Sequence, residues 1–137
     1  MIVSLHDIEP AARPCDPRLD WRAVRDRLDI RAFGMNAFVG AAPGDLVVEP
    51  HHEAAADGES GHEEVYVVIA GAARFVLDGV AHEVAAPAFV KPDRPEVHRE
   101  AYATRAGTIV LAVGGPVGAA FAVSAWERRQ LDLTRDG

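Results

Sequence analysis

The sequence predicts an all-β protein, a barrel or sandwich of short strands, from three observations. Short apolar runs recur at intervals of about 8–12 residues, and Gly or Pro separates them. The dipeptide Asp78–Gly79 between two apolar runs is a strong signal for a tight hairpin turn. No helix-length segment separates consecutive strands, so the alternation of strands and helices that a parallel sheet needs is absent.

Residues 1–30 predict a helical lead-in to the barrel. Several prolines near the start indicate an irregular segment. We expect one short helix over residues 16–28, with Asp16 as the N-cap and Pro17 at the first helical position. An apolar stripe follows at spacings of three and four residues: Trp21, Val24 and Leu28.

The barrel core is expected at about residues 33–115. In chain order, the expected strands are residues 31–41, 46–49, 63–71, 73–84 (a hairpin), 88–92, 97–103 and 107–115. Residues 116–137 form a C-terminal extension, in which the segment 120–133 is expected to be a final strand followed by a half-turn of helix. The whole chain is expected to be one domain.

The charge balance excludes several classes of function. The chain of 137 residues has 21 Asp and Glu against 14 Lys and Arg, a formal net charge of −7. With one lysine and scattered arginines, it lacks the basic patch that nucleic-acid binding requires. The sequence also lacks a run of about 18 apolar residues, which is the length that a membrane-spanning helix needs. Because its single cysteine, Cys15, cannot form an internal disulfide, we expect a cytoplasmic protein.

Histidine and glutamate residues crowd into one short stretch of the chain. His62 and Glu64 stand two residues apart at the start of an expected strand, so their side chains share one face. His51 and Glu53 have the same spacing, and His98 is a further candidate ligand. Imidazole and carboxylate ligands without thiolate suit a divalent metal ion, and iron, manganese, nickel and zinc are all compatible with them.

Several segments of the chain resemble the cupins, a family of small double-stranded β-helix (jelly-roll) proteins. The resemblance rests on EEVYVVIAG, ARFVLDGVAHEV and AFVKPDRPEVH, and it covers residues 33–115. In the first cupin motif a glutamate is followed, after six residues, by a glycine, as Glu64 is by Gly71. The resemblance implies a cupin barrel in which motif histidines, the glutamate and a later histidine hold a divalent metal ion.

Two registers of the first motif stay open. One register puts the two histidine positions of the motif at Pro50 and His52, and a shift by one residue puts them at His51 and Glu53. Either register leaves one position without a histidine. His62 shares a face with the motif glutamate and is placed to fill that position.

The second motif is matched less fully. Pro92 fits it, and His98 lies one place beyond the expected histidine. His98 shares a face with Glu100 and Tyr102, so His98 and Tyr102 are candidate general acid/base residues. Arg94 and Arg99 near the pocket mouth are able to pair with a carboxylate substrate, but we expect each to be a solvated surface residue. The predicted metal ligands are therefore His51, His52, His62, Glu64 and His98.

Two functions agree with these features. The first is a metal-dependent enzyme that acts on a small polar organic molecule, with oxygenase, isomerase or lyase chemistry. The alternative is a non-catalytic cupin that binds or senses a small ligand, with or without a metal. A homodimer is expected, because the run VYVVIA carries more apolar surface than one face of a strand needs. Neither nucleic acid nor a membrane is an expected partner.

Overall fold

Nine strands and two helices are found in the structure, a computed structural model that describes residues 1–12, 14, 16–55 and 61–136, with side chains to residue 132. Cys15 lies outside the described residues. The strands are β1 (Trp21–Arg22), β2 (Gly34–Gly40), β3 (Leu46–His51), β4 (His62–Ala70), β5 (Ala72–Leu77), β6 (Val80–Ala85), β7 (Ala88–Val90), β8 (Arg99–Ala103) and β9 (Thr108–Pro116). The helices are α1 (Val24–Leu28) and α2 (Ala125–Asp136), and a 3-10 turn covers Leu5–Asp7.

The strands form two antiparallel sheets, which confirms the predicted all-β fold. The first sheet has the order β1-β2-β9-β4-β7 and the second the order β3-β8-β5-β6. β5 and β6 are the predicted hairpin, and its turn residues Asp78 and Gly79 have positive φ angles of 48° and 82°. This turn type matches the right-handed twist of the two strands it joins, which explains the preference for an Asp-Gly pair.

The core lies between the inner faces of the two sheets. Side chains alternate along each strand, so Tyr66 and Val68 of β4 and Val110 of β9 meet Phe75 of β5 and Ala101 of β8 there. The rings of Tyr66 and Phe75 approach across the gap, with centroids 5.8 Å apart. Such burial of large apolar side chains, at ~25 cal/mol per Å², is the main force that holds the sheets together.

The glycine of the first motif is needed for the close contact between β4 and β9. Gly71 has φ 70°, and a Cβ atom at this position would collide with Thr108. The backbone turns here from β4 into β5 while Thr108 is completely buried. Only glycine accepts both the left-handed conformation and the contact without strain.

The N-terminal helix begins later than the sequence predicts. Residues 16–28 are not one helix, because Trp21 and Arg22 pair with β2 as strand β1 and α1 begins at Val24. Asp16 does not cap this helix but binds Arg18, with 2.7 Å between the charged groups. The reason is the burial of Trp21, whose large ring gains more from packing in the core than from an exposed helix face.

The C-terminal segment also differs from the prediction. Among the described residues of 120–133 there is no strand, and α2 spans twelve residues rather than a half-turn. Ser124 and Glu127 stand in the spacing of a capping box, and the hydroxyl of Ser124 accepts a hydrogen bond from the backbone N–H of Glu127. Leu131 is buried, and the ring of Trp126 meets that of Trp21 edge-on at 5.4 Å. Helix α2 therefore packs onto the barrel by a face that combines Trp126 and Leu131 with the buried polar residues Glu127 and Gln130.

A buried ion pair joins the two helices. Nε of Arg25 in α1 donates to a carboxylate oxygen of Glu127 in α2 at 2.9 Å, and the two side chains are 7% and 6% exposed. The same guanidinium also donates to the backbone carbonyl of Ile30. None of the described helices is long and apolar enough to cross a membrane.

Replacement of Glu127 tests this link. We expect Glu127→Ala to lower the free energy of unfolding by about 3 kcal/mol, because it leaves the guanidinium of Arg25 buried without its carboxylate. The matched control is Glu83→Ala, which breaks the exposed pair with Arg74 and should change stability by less than about 0.5 kcal/mol. Urea unfolding followed by far-UV circular dichroism measures both, and equal losses would contradict this account.

Candidate functional site

A cavity of about 520 Å³ opens inside the barrel. Strands β2, β3, β4 and β9 and the segment after β3 form most of its wall, and residues 121–127 at the start of α2 cover one side. Its volume is in the range of pockets that hold small organic molecules. The polar side chains of this wall are therefore the candidates for function.

Three of these side chains converge on one point. The ligand atoms of His51, Glu53 and Glu64 all lie within 4.8 Å of one another. Nε2 of His51 is 2.9 Å from Oε1 of Glu53 and 3.8 Å from Oε1 of Glu64. One imidazole nitrogen and two carboxylate oxygens form a donor set that suits a divalent metal ion. The residues present therefore fit the metal that the sequence predicts.

The backbone fixes the position of each member of this triad. His51 ends β3 and Glu64 lies near the start of β4. Glu53 follows β3, where its N–H donates to the carbonyl of Pro95 at 2.7 Å and its carbonyl accepts from the N–H of His62 at 3.1 Å. The triad is thus held by two strands and by a loop segment that is hydrogen-bonded on both sides.

The orientation of the His51 ring follows from its contact with the backbone. Nδ1 lies 2.6 Å from the carbonyl oxygen of Glu49, and since a carbonyl can only accept, Nδ1 carries a proton. Nε2 is then the atom that faces Glu53 and Glu64. In metalloproteins the same arrangement leaves Nε2 available as a ligand, because the other ring nitrogen is fixed by a hydrogen bond.

The ionisation of the site reflects this close packing of charges. Burial alone would lower the pKa of His51, but the hydrogen bond to Glu53, the nearby carboxylate of Glu64 and the hydrogen bond to the carbonyl of Glu49 raise it to about 10. Burial opposes ionisation of Glu53, yet the hydrogen bond from His51 and the nearby charges of His51, His62 and Arg99 lower its pKa overall. In the metal-free site, His51 is therefore an imidazolium beside ionised Glu53.

Glu64 has two partners deeper in the barrel. The hydroxyl of Tyr66 donates to Oε1 of Glu64, and the same oxygen is 3.6 Å from a guanidinium nitrogen of Arg99. Burial and the adjacent carboxylate of Glu64 raise the pKa of Tyr66 well above its ordinary value, so Tyr66 stays a hydrogen-bond donor. These contacts hold the carboxylate of Glu64 toward His51.

Glu53, Tyr66 and Arg99 belong to this site but are not among the site residues that the sequence predicts, and Arg99 differs most from its expectation. Its side chain is 1% exposed, so the expectation of a solvated surface arginine is wrong. Nε and Nη2 donate to the carbonyl of Val97, and Nη2 also donates to that of Pro95 at 3.0 Å. The alternation along β8 contains the missed signal, because Arg99 shares its face with two small residues, Ala101 and Ala103.

The other predicted ligands divide into two groups. His52 and His62 line the cavity with the triad, so the structure brings together four of the five predicted residues: His51, His52, His62 and Glu64. His52 is exposed, and its Nδ1 accepts a hydrogen bond from the N–H of Ala54 at 3.1 Å. Of the two adjacent histidines, His51 is the one that meets the carboxylates.

His98 and Tyr102 lie apart from this group. His98 precedes β8 and is exposed; its carbonyl accepts from the N–H of Asp78 in the β5–β6 turn, and its N–H donates to the carboxylate of Asp78, both at 2.8 Å. Tyr102 is on the outer face of β8, where its hydroxyl donates to Glu100 at 3.1 Å. Neither lines the cavity among the described residues, so the structure does not bring the two predicted acid/base residues to the triad.

The arrangement of the two sheets is similar to that of solved cupin structures. A sugar phosphate isomerase of the cupin superfamily from Silicibacter pomeroyi is 20% identical with a TM-score of 0.62, over 83% of this chain and 74% of that chain. A Cupin 2 conserved barrel domain protein from Salinispora arenicola is 18% identical with a TM-score of 0.60, over 97% of both chains. A predicted oxalate decarboxylase from Thermotoga maritima is 16% identical with a TM-score of 0.61, over 85% of this chain and all of that chain.

These likenesses show that the chain has the cupin fold, and they confirm the resemblance found in its sequence. No protein-family profile and no curated protein matches the sequence. At identities of 16–20% the neighbours establish the fold alone. The activity must therefore be argued from the site.

Arg99 at the start of β8 and His98 immediately before it provide a test of which side chain points into the barrel. We expect Arg99→Ala to lower the free energy of unfolding by about 3 kcal/mol, because it leaves Glu64 and several carbonyls without their buried donor. His98→Ala removes only an exposed ring and should change stability by less than about 0.5 kcal/mol. Thermal unfolding measures both variants. A larger loss for His98→Ala would contradict the assignment of faces.

Proposed function

We propose that this protein binds a divalent metal ion in its barrel cavity and acts there on a small polar organic molecule. The observation that supports the proposal is the convergence of His51, Glu53 and Glu64 within 4.8 Å in a cavity. We propose His62 as a further ligand, because it lines the same cavity and its backbone N–H donates to the carbonyl of Glu53. Iron, manganese, nickel and zinc all accept such nitrogen and oxygen ligands.

The chain's own residues have defined roles in this proposal. When bound, a divalent metal supplies Lewis-acid polarisation of a substrate oxygen. His51 presents Nε2 after losing its proton, and Tyr66 and Arg99 hold the carboxylate of Glu64 in place. Trp126 and the rest of the start of α2 restrict the access of water. Isomerase, lyase and oxygenase chemistry are each compatible with an open metal position in such a cavity.

Elemental analysis of untagged protein tests the metal site. We expect roughly one divalent ion per chain after separate incubation with iron, manganese, nickel or zinc, and removal of excess metal. Glu64→Gln and His51→Ala should each weaken binding by at least about 100-fold, because each removes one of three ligands. His98→Ala is the matched control and should bind as the unaltered protein does. A metal content equal in all four proteins would refute the site.

A second candidate function is a binding or sensing module that works without a metal. It is favoured by the internal charge balance, since the imidazolium of His51 and the guanidinium of Arg99 already compensate Glu53 and Glu64. Absence of metal after incubation with all four ions, in protein that remains folded, would favour this alternative.

We also propose that two copies pair through the outer face of the first sheet, in the cytoplasm. Phe89 of β7 is 77% exposed and Ile69 of β4 is 46% exposed on that sheet, and Phe89 lies opposite Val67 in the strand register. β7 is the edge strand of the sheet and has only three residues. An apolar face beside a free edge is a surface that a second copy would cover.

Light scattering at micromolar concentration tests the pairing. We expect the unaltered chain to have the mass of a dimer and Phe89→Asp to have that of a monomer, because a charge at the centre of an apolar contact is costly to bury. Val80→Asp, an exposed apolar position in the hairpin of the second sheet, is the control and should remain dimeric. A monomeric unaltered chain would overturn this proposal.

A further inference from the structure

Acidic side chains outnumber basic ones in the wall of the cavity. Four carboxylates line it, and no Lys or Arg does so among the described residues: Glu49, Glu53, Glu64 and Glu127. A ligand that enters this space therefore meets an acidic wall.

Three of the four carboxylates have cationic partners within the protein. Glu127 binds Arg25, Glu53 contacts His51, and Glu64 lies near Arg99. Glu49 differs, because no described side chain donates a hydrogen bond to its carboxylate.

A second acceptor of the cavity wall is also unsatisfied. The amide oxygen of Asn36 in β2 is buried and has no hydrogen-bond partner in the described part of the chain. A buried acceptor without a donor costs free energy, and a bound ligand with N–H groups would recover it. The wall therefore offers acceptors to a ligand at two separate positions.

Aromatic side chains form another part of the same wall. Phe38 of β2, Phe121 and Trp126 line the cavity. Trp126 is supported from behind by Trp21, and Phe121 packs over the strand glycine Gly34. Carboxylate and aromatic faces together are the surroundings that attract an organic cation, since aromatic rings present negative faces to it.

We propose that the cavity selects a small organic cation, an amine with an aromatic or other apolar body. The ammonium group would donate to Glu49 and Asn36, and the body would lie against Phe121 and Trp126. A phosphate or dicarboxylate would instead lose its hydration beside an acidic wall whose cationic side chain, His51, is already paired with Glu53. The inference rests on the cavity of the proposed function but not on the metal.

This preference is tested with three probes that share a benzene ring but differ in charge at neutral pH: benzylamine is a cation, benzyl alcohol is neutral and benzoate is an anion. Binding to metal-free protein at neutral pH is followed by ligand-observed NMR and by the combined fluorescence of Trp126 and its neighbour Trp21. We expect benzylamine to bind at least about tenfold more tightly than benzoate, with benzyl alcohol between them. The series is repeated after metal loading, so that a failure of metal binding and a failure of amine selection are observed separately.

Two glutamine variants assign the effect to Glu49. Glu49→Gln should reduce the affinity for benzylamine about tenfold and leave that for benzyl alcohol unchanged. Glu63→Gln is the control, because Glu63 is an exposed residue beside Lys91 that does not line the cavity. Tighter binding of benzoate than of benzylamine to metal-free protein, equal effects of the two variants, or no binding of any probe would overturn the proposal.

Discussion

The geometry of the site depends on the interactions of one buried group, the guanidinium of Arg99. Its donors hold the carbonyls of Val97 and Pro95, and the Pro95 carbonyl also accepts the N–H of Glu53. On its other side, Arg99 lies 3.6 Å from Glu64. One cation thus positions both carboxylates that face His51, one directly and the other through the loop that precedes β8. Such a charge is tolerated in the interior only because these acceptors surround it.

Helix α2 completes the cavity from the opposite side. The pair of Arg25 with Glu127 and the edge-on contact of Trp126 with Trp21 attach it to the N-terminal segment. The two ends of the chain are therefore joined over the barrel, and residues from the start of α2 become cavity wall. The sheets supply most of the polar part of the site, while this helix adds Trp126 and Glu127 to the wall.

The strands could be predicted from sequence because local chemistry determines them. Apolar runs, turn residues and the Asp78–Gly79 hairpin each act over a few residues. The N-terminal and C-terminal helical segments could not be predicted well. Trp21 is buried where it pairs with β2, and Leu131 is buried on the inner side of α2, so both depend on distant parts of the chain. Ser124 and Glu127 nevertheless form a capping box that indicates where α2 begins.

The sequence predicted some residues of the candidate site but not others. Glu64 could be placed by its spacing from Gly71, but the choice between His51 and His52 could not be made. The pairing of β3 with β8 contains two register shifts, one of them between Val48 and His51. A shift of one residue moves a side chain to the opposite face, so alternation read along the sequence fails at that point.

The alternation of inward and outward side chains also explains the role of β8. The sequence favoured His98 and Tyr102, which share one face, whereas the inward face carries Arg99. A guanidinium stays protonated and offers no lone pair to a metal ion, so β8 supplies a counter-charge and no ligand. A metal in this cavity would be held from β3, the segment after it and β4 alone. Three or four protein ligands from these segments would leave coordination positions for a substrate.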